Sequence, residues 1–478
     1  MSFLQWKKDK LKIGKITFFK VKSFQGMFIY YFLGIPVWSR TTPISRIIYE
    51  FQKNKNFDTR NFDKELERII PPVKSMDSSP YTTRVSVLAT ELYDNGGHSK
   101  CIQDLMDILN DKYTQSIFLT SYSSSWKYAP QIMSYIKKFA LISGKDIGNI
   151  RWKKDTINLF YDICNFSPKV IFVFIHPDDI YGTLLLSMIK KYTKIKVYYC
   201  PHASHYPNLG ISFADIILEG MPVTAYVTQK LRKCLKTHVV GILSKRLKQF
   251  PTFTAEEILA CRRSLGVSDV ELCTISGGSS YKFFDSSDTS EYFKVIKHLL
   301  DRNQNVKHII ISNFSETEKV IIEKIFEGSK SRNRLIIHPL TPEYELIFCC
   351  ADVFIDSFPV SAALTMIDLM RLKVPAVVKI NRENALWSFH EYQRPNFPYM
   401  YDNNKDFLRG IEKLLSSKIL RKIEMDENYQ FYLDRYEGES CKLHLYELID
   451  NSDMLELYYT QLNSEIVYQF KGKTVFSQ

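Results

Sequence analysis

No stretch of this 478-residue chain is apolar for long enough to cross a bilayer, which takes about 20 consecutive residues. The longest apolar runs, such as VIFVFI from Val170 to Ile175, have the length of strands. A secretory leader is not visible either, because MSFLQWKKDKLK has no apolar stretch before its charges thicken. The expectation is a cytoplasmic protein. Cysteine is sparse: nine residues without a repeated spacing argue against a disulfide framework or a zinc site and read as reduced small hydrophobes. Short-period repeats, low-complexity tracts, RNA-binding signatures and helix-turn-helix signatures are also lacking, so nucleic acid is not the expected partner.

What is present is a globular composition, 45% apolar and 24% charged, in a chain longer than one core usually supports. Two domains with extra segments follow. The net charge of +12, from 64 basic and 52 acidic residues, favours an anionic partner such as a lipid surface or a phosphorylated small molecule. Its plainer reading is solvated lysine in an AT-rich bacterial coding background. Lysines gather in KKDKLK (Lys7 to Lys12) and in SKRLK (Ser244 to Lys248).

Residues 1–80 read as a basic and aromatic extension, in which KITFFKVKSFQGMFIYYFLGIPVW forms short strand-like runs broken at Gly26 and Gly34. It suits a hairpin on the domain surface or a patch that touches a membrane. From Arg84 strands alternate with helical stretches, which implies a parallel sheet covered on both faces. A second such series starts near Val270. The expectation is an α/β protein with two Rossmann-like doubly wound domains, 81–243 and 244–395, facing across a cleft. Residues 396–478 complete it as a helical segment packing back across both.

In such sheets ligands bind beyond the carboxyl ends of the strands, where helices begin. Five places qualify. The turn Ser361-Ala362-Ala363 ends the strand ADVFIDSFP; it is either a diphosphate cradle, with Thr365 adding a hydroxyl and Asp368 accepting from a ribose, or a plain helix cap. SGGSSYKFF pairs the tight turn Gly277-Gly278 with Lys282, a compact cation suited to phosphate or an ordinary loop lysine. ELYDNGGHSK sets Asp94 and His98 around Gly96-Gly97 at a helix head, where either side chain suits a base and Asp94 also suits a cap. His176 in FIHPDD and the pair His202 and His205 in CPHASHYP end strands of the first half; acceptor-side or structural roles suit them better than metal binding, since no further ligands complete a set. His338 in IIHPLTP ends a strand of the second half, beside a nucleobase or in a turn held by prolines.

Together these segments resemble the GT-B glycosyltransferases, and the best match is to the inverting O-linked N-acetylglucosamine transferase family. That family cradles the donor diphosphate with D-T-(F)P-x-N-G-x-T-T-x-x-D/E-x-L-x-x-G-V-P, and this chain reads D-S-F-P-V-S-A-A-L-T-M-I-D-L-M-R-L-K-V-P from Asp356 to Pro375 without a gap. The resemblance implies that Thr365 touches phosphate, that Asp368 meets the ribose, and that the pair Tyr281-Lys282 brings its lysine to the donor phosphate. It also matches His98, shortly after Asp94, to a first-domain histidine. Ala363 and Leu364 replace a usual polar pair, so holding the diphosphate falls to backbone N–H groups and Lys282. Lys373 replaces a usual glycine. Val360 and Asp368 stand where retaining enzymes carry two glutamates, which implies inversion. The front segment with its FLGIP looks like the lead-in of bacterial lipopolysaccharide and capsule glycosyltransferases.

The resemblance therefore implies a metal-independent transferase with no cofactor that moves a sugar from a UDP-sugar to a glycan, glycolipid or glycoprotein hydroxyl. His98 or Asp94 assists deprotonation and Lys282 meets the leaving diphosphate. A peripheral contact with the cytoplasmic face of the inner membrane goes with it. A sugar-nucleotide epimerase of the same fold and a non-catalytic glycan-binding protein are the alternatives.

Overall fold

The computed structural model describes residues 4–461 except 8–9, 14–15, 25–26, 33–34, 42, 55, 74–79, 95–96, 148–150, 202, 204–205, 242–251, 286–288, 382–387, 389–392, 395 and 437; of 4–43, 45, 48 and 438–440 it describes the backbone alone. Two compact units divide the chain near Ser244, and residues from Lys442 to Leu462 belong with the first.

The chain opens with an antiparallel sheet of five strands in sequential order: β1 (Leu4–Lys7), β2 (Lys10–Ile13), β3 (Ile16–Phe24), β4 (Met27–Phe32) and β5 (Ile35–Thr41). A single surface hairpin was too small an expectation. The rest of the expected extension is not separate from the domain that follows. Ile44, Ile47 and Phe51 of the helix Pro43–Lys53 and Leu66 of the helix Arg60–Glu67 are buried in one cluster with Ile180 and Leu184 of the first unit.

The first unit is built on a seven-stranded parallel sheet of β6 (Tyr81–Ala89), β7 (Thr114–Leu119), β8 (Ala140–Gly144), β9 (Pro168–Phe174), β10 (Lys196–Tyr199), β11 (Ile216–Glu219) and β12 (Thr237–Val239), ordered β12-β11-β10-β9-β6-β7-β8. The second has β13 (Leu272–Gly277), β14 (Val306–Ile311), β15 (Leu335–His338), β16 (Val353–Ile355), β17 (Ala376–Lys379) and β18 (Met400–Tyr401), ordered β15-β14-β13-β16-β17-β18. Counted within each parallel sheet, the first runs 3-2-1-4-5-6-7 and the second 3-2-1-4-5-6, the doubly wound order expected of apolar strands alternating with amphipathic helices. Each sheet is buried by helices; Val173, Phe172 and Ile171 in β9 and Ile309 and Ile310 in β14 are fully buried. Each therefore has one switch point, between β6 and β9 in the first unit and between β13 and β16 in the second. At these points consecutive crossovers leave in opposite directions, and a crevice opens at the carboxyl ends.

The last expected segment, 396–478, is not purely helical. Met400 and Tyr401 close the second sheet as its edge strand, paired to β17. The helices Asn404–Ser416 and Lys418–Tyr436 stay with the second unit, whereas the helix Gly438–Asp450 fastens to the first from Lys442 onward. Tyr446 Oη donates to Ile108 O at 3.0 Å, and Tyr198 Oη donates to Leu448 O at 2.7 Å. Among the described residues no helix is long and apolar enough to cross a membrane.

Candidate functional site

At the switch point of the second unit, β13 and β16 are direct neighbours, pairing Thr274 with Val353 and Ile275 with Phe354. The loops that follow them carry the residues singled out above. Gly277 and Gly278 end β13 for a physical reason. A side chain on Gly277 would meet the Phe348 ring at 3.0 Å, and Gly278 has φ of 153° with the Lys282 stem packed where a side chain would start. The close turn folds Lys282 back over the sheet end. Its ammonium donates to Ser361 O at 2.9 Å, joining the two loops. Burial pushes the Lys282 pKa down to about 8, while the charge of Asp356 pulls it up.

The second loop differs from the expected helix start. The helix begins at Thr365, not at Ser361, and Ala363 has a left-handed φ of 54°, so Ser361 to Leu364 form an irregular turn. Several of its N–H groups are already engaged. Ala362 N donates to Asp356 Oδ1 at 2.7 Å, Ala363 N to Ser361 Oγ at 3.2 Å, and Thr365 N to Ala362 O at 3.2 Å. A row of open backbone donors at 361 to 363 is thus corrected to a turn with two of those three engaged, because the buried Asp356 carboxylate takes Ala362 N and the Ser361 hydroxyl takes Ala363 N. Lys282 brings a cation to this crevice. Asp368 is buried in an ion-pair group, 3.6 Å from Arg371, which in turn lies 2.5 Å from Glu345. Tyr281 is 40% exposed at the crevice rim. His338 ends β15, which β14 and β13 separate from β16, and its Nδ1–H donates to Pro339 O at 2.7 Å, so its ring is set by its own turn.

Beneath Lys282 and Asp356 runs a chain of hydrogen bonds that reasoning from sequence missed. Thr274 Oγ1 meets His308 Nδ1 at 2.8 Å, His308 Nε2 meets Tyr292 Oη at 2.9 Å, Tyr292 Oη donates to Ser276 Oγ at 2.5 Å, and Ser276 Oγ donates to Ile355 O at 2.5 Å. Every proton is accounted for when His308 is neutral with its hydrogen on Nε2, and burial pushes its pKa down to about 3. A polar residue amid apolar ones in VKHIII was the available signal.

At the first unit's switch point, His98 sits in the first turn of the helix Gly97–Leu109, with its ring against Phe174 and Nε2 3.1 Å from Phe174 O. The carbonyl accepts, so the proton is on Nε2 and Nδ1 carries the lone pair. Burial, and secondarily the neighbouring His176, push the His98 pKa down to about 4. Asp94 proves to be a cap. Its Oδ1 accepts from Ile132 N at 3.0 Å and its Oδ2 from Gln131 N at 3.2 Å, at the head of the helix Pro130–Ile136, so the base role expected of it is corrected to a structural one. His176 follows β9 half-exposed; its N–H donates to Thr90 Oγ1 at 2.7 Å.

Asp179, also missed, organises this end of the sheet. Its Oδ2 accepts from Thr90 Oγ1 at 2.6 Å and Thr120 Oγ1 at 2.8 Å, and its Oδ1 accepts from Gly182 N at 2.8 Å, tying the ends of β6 and β7 to the helix Ile180–Tyr192. The signal was a buried aspartate directly before a helix. Gly97 opens its helix, whereas Gly96, His202 and His205 lie outside the described residues. Among the described residues no three His, Cys, Asp or Glu side chains gather as metal ligands do.

No protein-family model matches this chain, and no curated protein does. Solved structures do. A glycosyltransferase from Rickettsia africae superposes with a TM-score of 0.60 at 12% identity, over 78% of this chain and 100% of that one. HepE from Anabaena, in complex with UDP and glucose, gives 0.58 at 11% identity, over 77% and 100%. An O-GlcNAc transferase from Thermobaculum terrenum gives 0.58 at 9% identity, over 85% and 76%. At such identities the likeness is one of fold, and the chain has the two-unit α/β fold of the GT-B type that these glycosyltransferases share.

Proposed function

We propose that this chain is a glycosyltransferase that moves a sugar from a nucleoside diphosphate, a UDP-sugar, to a hydroxyl of a bacterial surface glycan, glycolipid or glycoprotein. The observation that carries the reading is Lys282, a half-buried side chain at the switch point of the second unit, its ammonium held by Ser361 O across the two loops. A cation poised in a low-dielectric crevice at the strand ends suits the charge that grows on a leaving diphosphate, without a metal. HepE, similar in fold, holds UDP and glucose. The surface-glycan acceptor rests on the sequence resemblance of the front segment.

His98 serves as the base in this scheme. Its neutral ring, fixed by Phe174 O, takes the proton of the acceptor hydroxyl on Nδ1 as oxygen attacks the anomeric carbon with inversion; the C–O bond to the diphosphate breaks, and Lys282 meets the departing charge. The base works only while neutral and the ammonium only while charged. Turnover should therefore fall as pH drops through about 4, where His98 takes up a proton, and as pH rises through about 8, where Lys282 loses one. A pH–rate profile of UDP release from a UDP-sugar checks both limbs.

The direct test is a panel of UDP-sugars read by thermal shift and by turnover. UDP-sugars should raise the melting temperature of the wild type, and Lys282→Ala should lose that shift together with about 100-fold or more of the rate. Equal turnover in the variant overturns the reading. A new epimer by NMR, formed without acceptor, would assign the chain to the epimerases instead.

A further inference from the structure

We propose that Asp356 is a positioning residue of the donor site: without touching the donor, it holds the Ser361–Ala363 turn in shape and keeps the Lys282 ammonium charged for the diphosphate. The proposal rests on the donor-site reading above. Asp356 follows β16 directly and is fully buried. Its Oδ1 accepts from Ala362 N at 2.7 Å, while its Oδ2 has no hydrogen bond of normal length among the described residues. A fully buried carboxylate costs folding free energy, and such groups persist where they serve a site.

What faces it is Lys282, whose charge draws its pKa down, together with the Ser361 hydroxyl and the Ser357 N–H, against a burial that lifts it to about 6. From below comes the Tyr292 hydroxyl, whose ionisation the Asp356 charge opposes. Among the described residues Asp356 is in turn the charged group acting on Lys282, and it acts upward. The lysine stem packs against Gly278 and its ammonium meets the neutral Ser361 carbonyl, so among the described residues the counter-charge that offsets its burial comes from Asp356. A neighbouring opposite charge favours the charged form of an ammonium and so raises its pKa. Removing it should leave a lysine that is neutral at the upper end of the physiological range.

The test compares UDP affinity by calorimetry from pH 6 to pH 9.5 in the wild type and in Asp356→Asn, whose amide oxygen can still accept from Ala362 N. We expect affinities within about threefold at pH 6.5, where Lys282 is charged in both proteins. The alkaline fall of affinity should move at least about one pH unit lower in the variant, giving about tenfold weaker binding at pH 9. The nucleotide's own titration is common to both proteins. Uniform weakening at every pH with an unmoved alkaline limb would mean a purely structural carboxylate, and no change at all would mean an idle one; either overturns the proposal.

A second measurement needs no folded Asp356 variant. In ¹³C-lysine-labelled wild type, the Lys282 resonance, assigned by its loss in Lys282→Met, should titrate near pH 8 and show a smaller inflection near pH 6 as Asp356 ionises. A single inflection overturns the coupling. Should the wild type bind no UDP, the donor reading fails, and the NMR titration still decides whether Asp356 controls Lys282.

Discussion

The two switch points share one topology and differ in charge. In the second unit the crevice is served by a half-buried ammonium and a buried carboxylate, Lys282 and Asp356, which bond to successive residues of one turn. In the first unit the same place holds a neutral His98 on a carbonyl and a carboxylate, Asp179, consumed by two hydroxyls and an N–H. One offers an electrostatic grip on an anion and the other a proton acceptor in apolar surroundings. Repeated architecture does not imply repeated chemistry; the side chains at the strand ends decide it.

The comparison can be broken in several ways. If the first unit supplies the base, His98→Gln should lower kcat by about 10²- to 10⁴-fold while leaving UDP affinity unchanged, as steady-state kinetics and calorimetry on one preparation would show. Loss of UDP affinity in that variant would erase the division of labour. Lys282→Ala should do the reverse in binding, abolishing the UDP-induced thermal shift and removing about 10²-fold of the rate. The next effect is on stability. Asp179→Ala removes an N-cap and leaves two threonine hydroxyls without their acceptor, so chemical denaturation should report a loss of about 2 kcal/mol from the first unit. The smallest effect sharpens the assignment of the base. Asp94→Asn retains an acceptor for Ile132 N, so turnover should stay within about threefold of wild type and stability within about 1 kcal/mol.

Much of this was legible because it depends on local pattern. The strand and helix alternation from Arg84 and again from Val270 predicts two parallel sheets, and both are present in doubly wound order. Gly277-Gly278 before Lys282 reads as a tight turn, and the φ of Gly278 and the Phe348 ring beside Gly277 give it a reason. Edge strands were harder. Met400-Tyr401 is two residues long and carries no period, so its place in the second sheet was invisible amid helical neighbours. The opening sheet was underread for a related reason, since register between short strands is set by pairing.

The candidate site divides along the same line. By itself the sequence determined the fold class, the strands that end near the site and the residue types available there, because hydrophobic period and glycine placement act within a few neighbours. Only the tertiary structure decided what those residues are free to do. Asp94 became a cap because the helix Pro130–Ile136 arrives beside it, 36 residues further on in the chain. Ala362 lost its donor to Asp356, and His308 became a neutral member of a buried chain. Hydrogen-bond partners and burial, and hence charge state, come from groups distant in sequence, and no local pattern carries them.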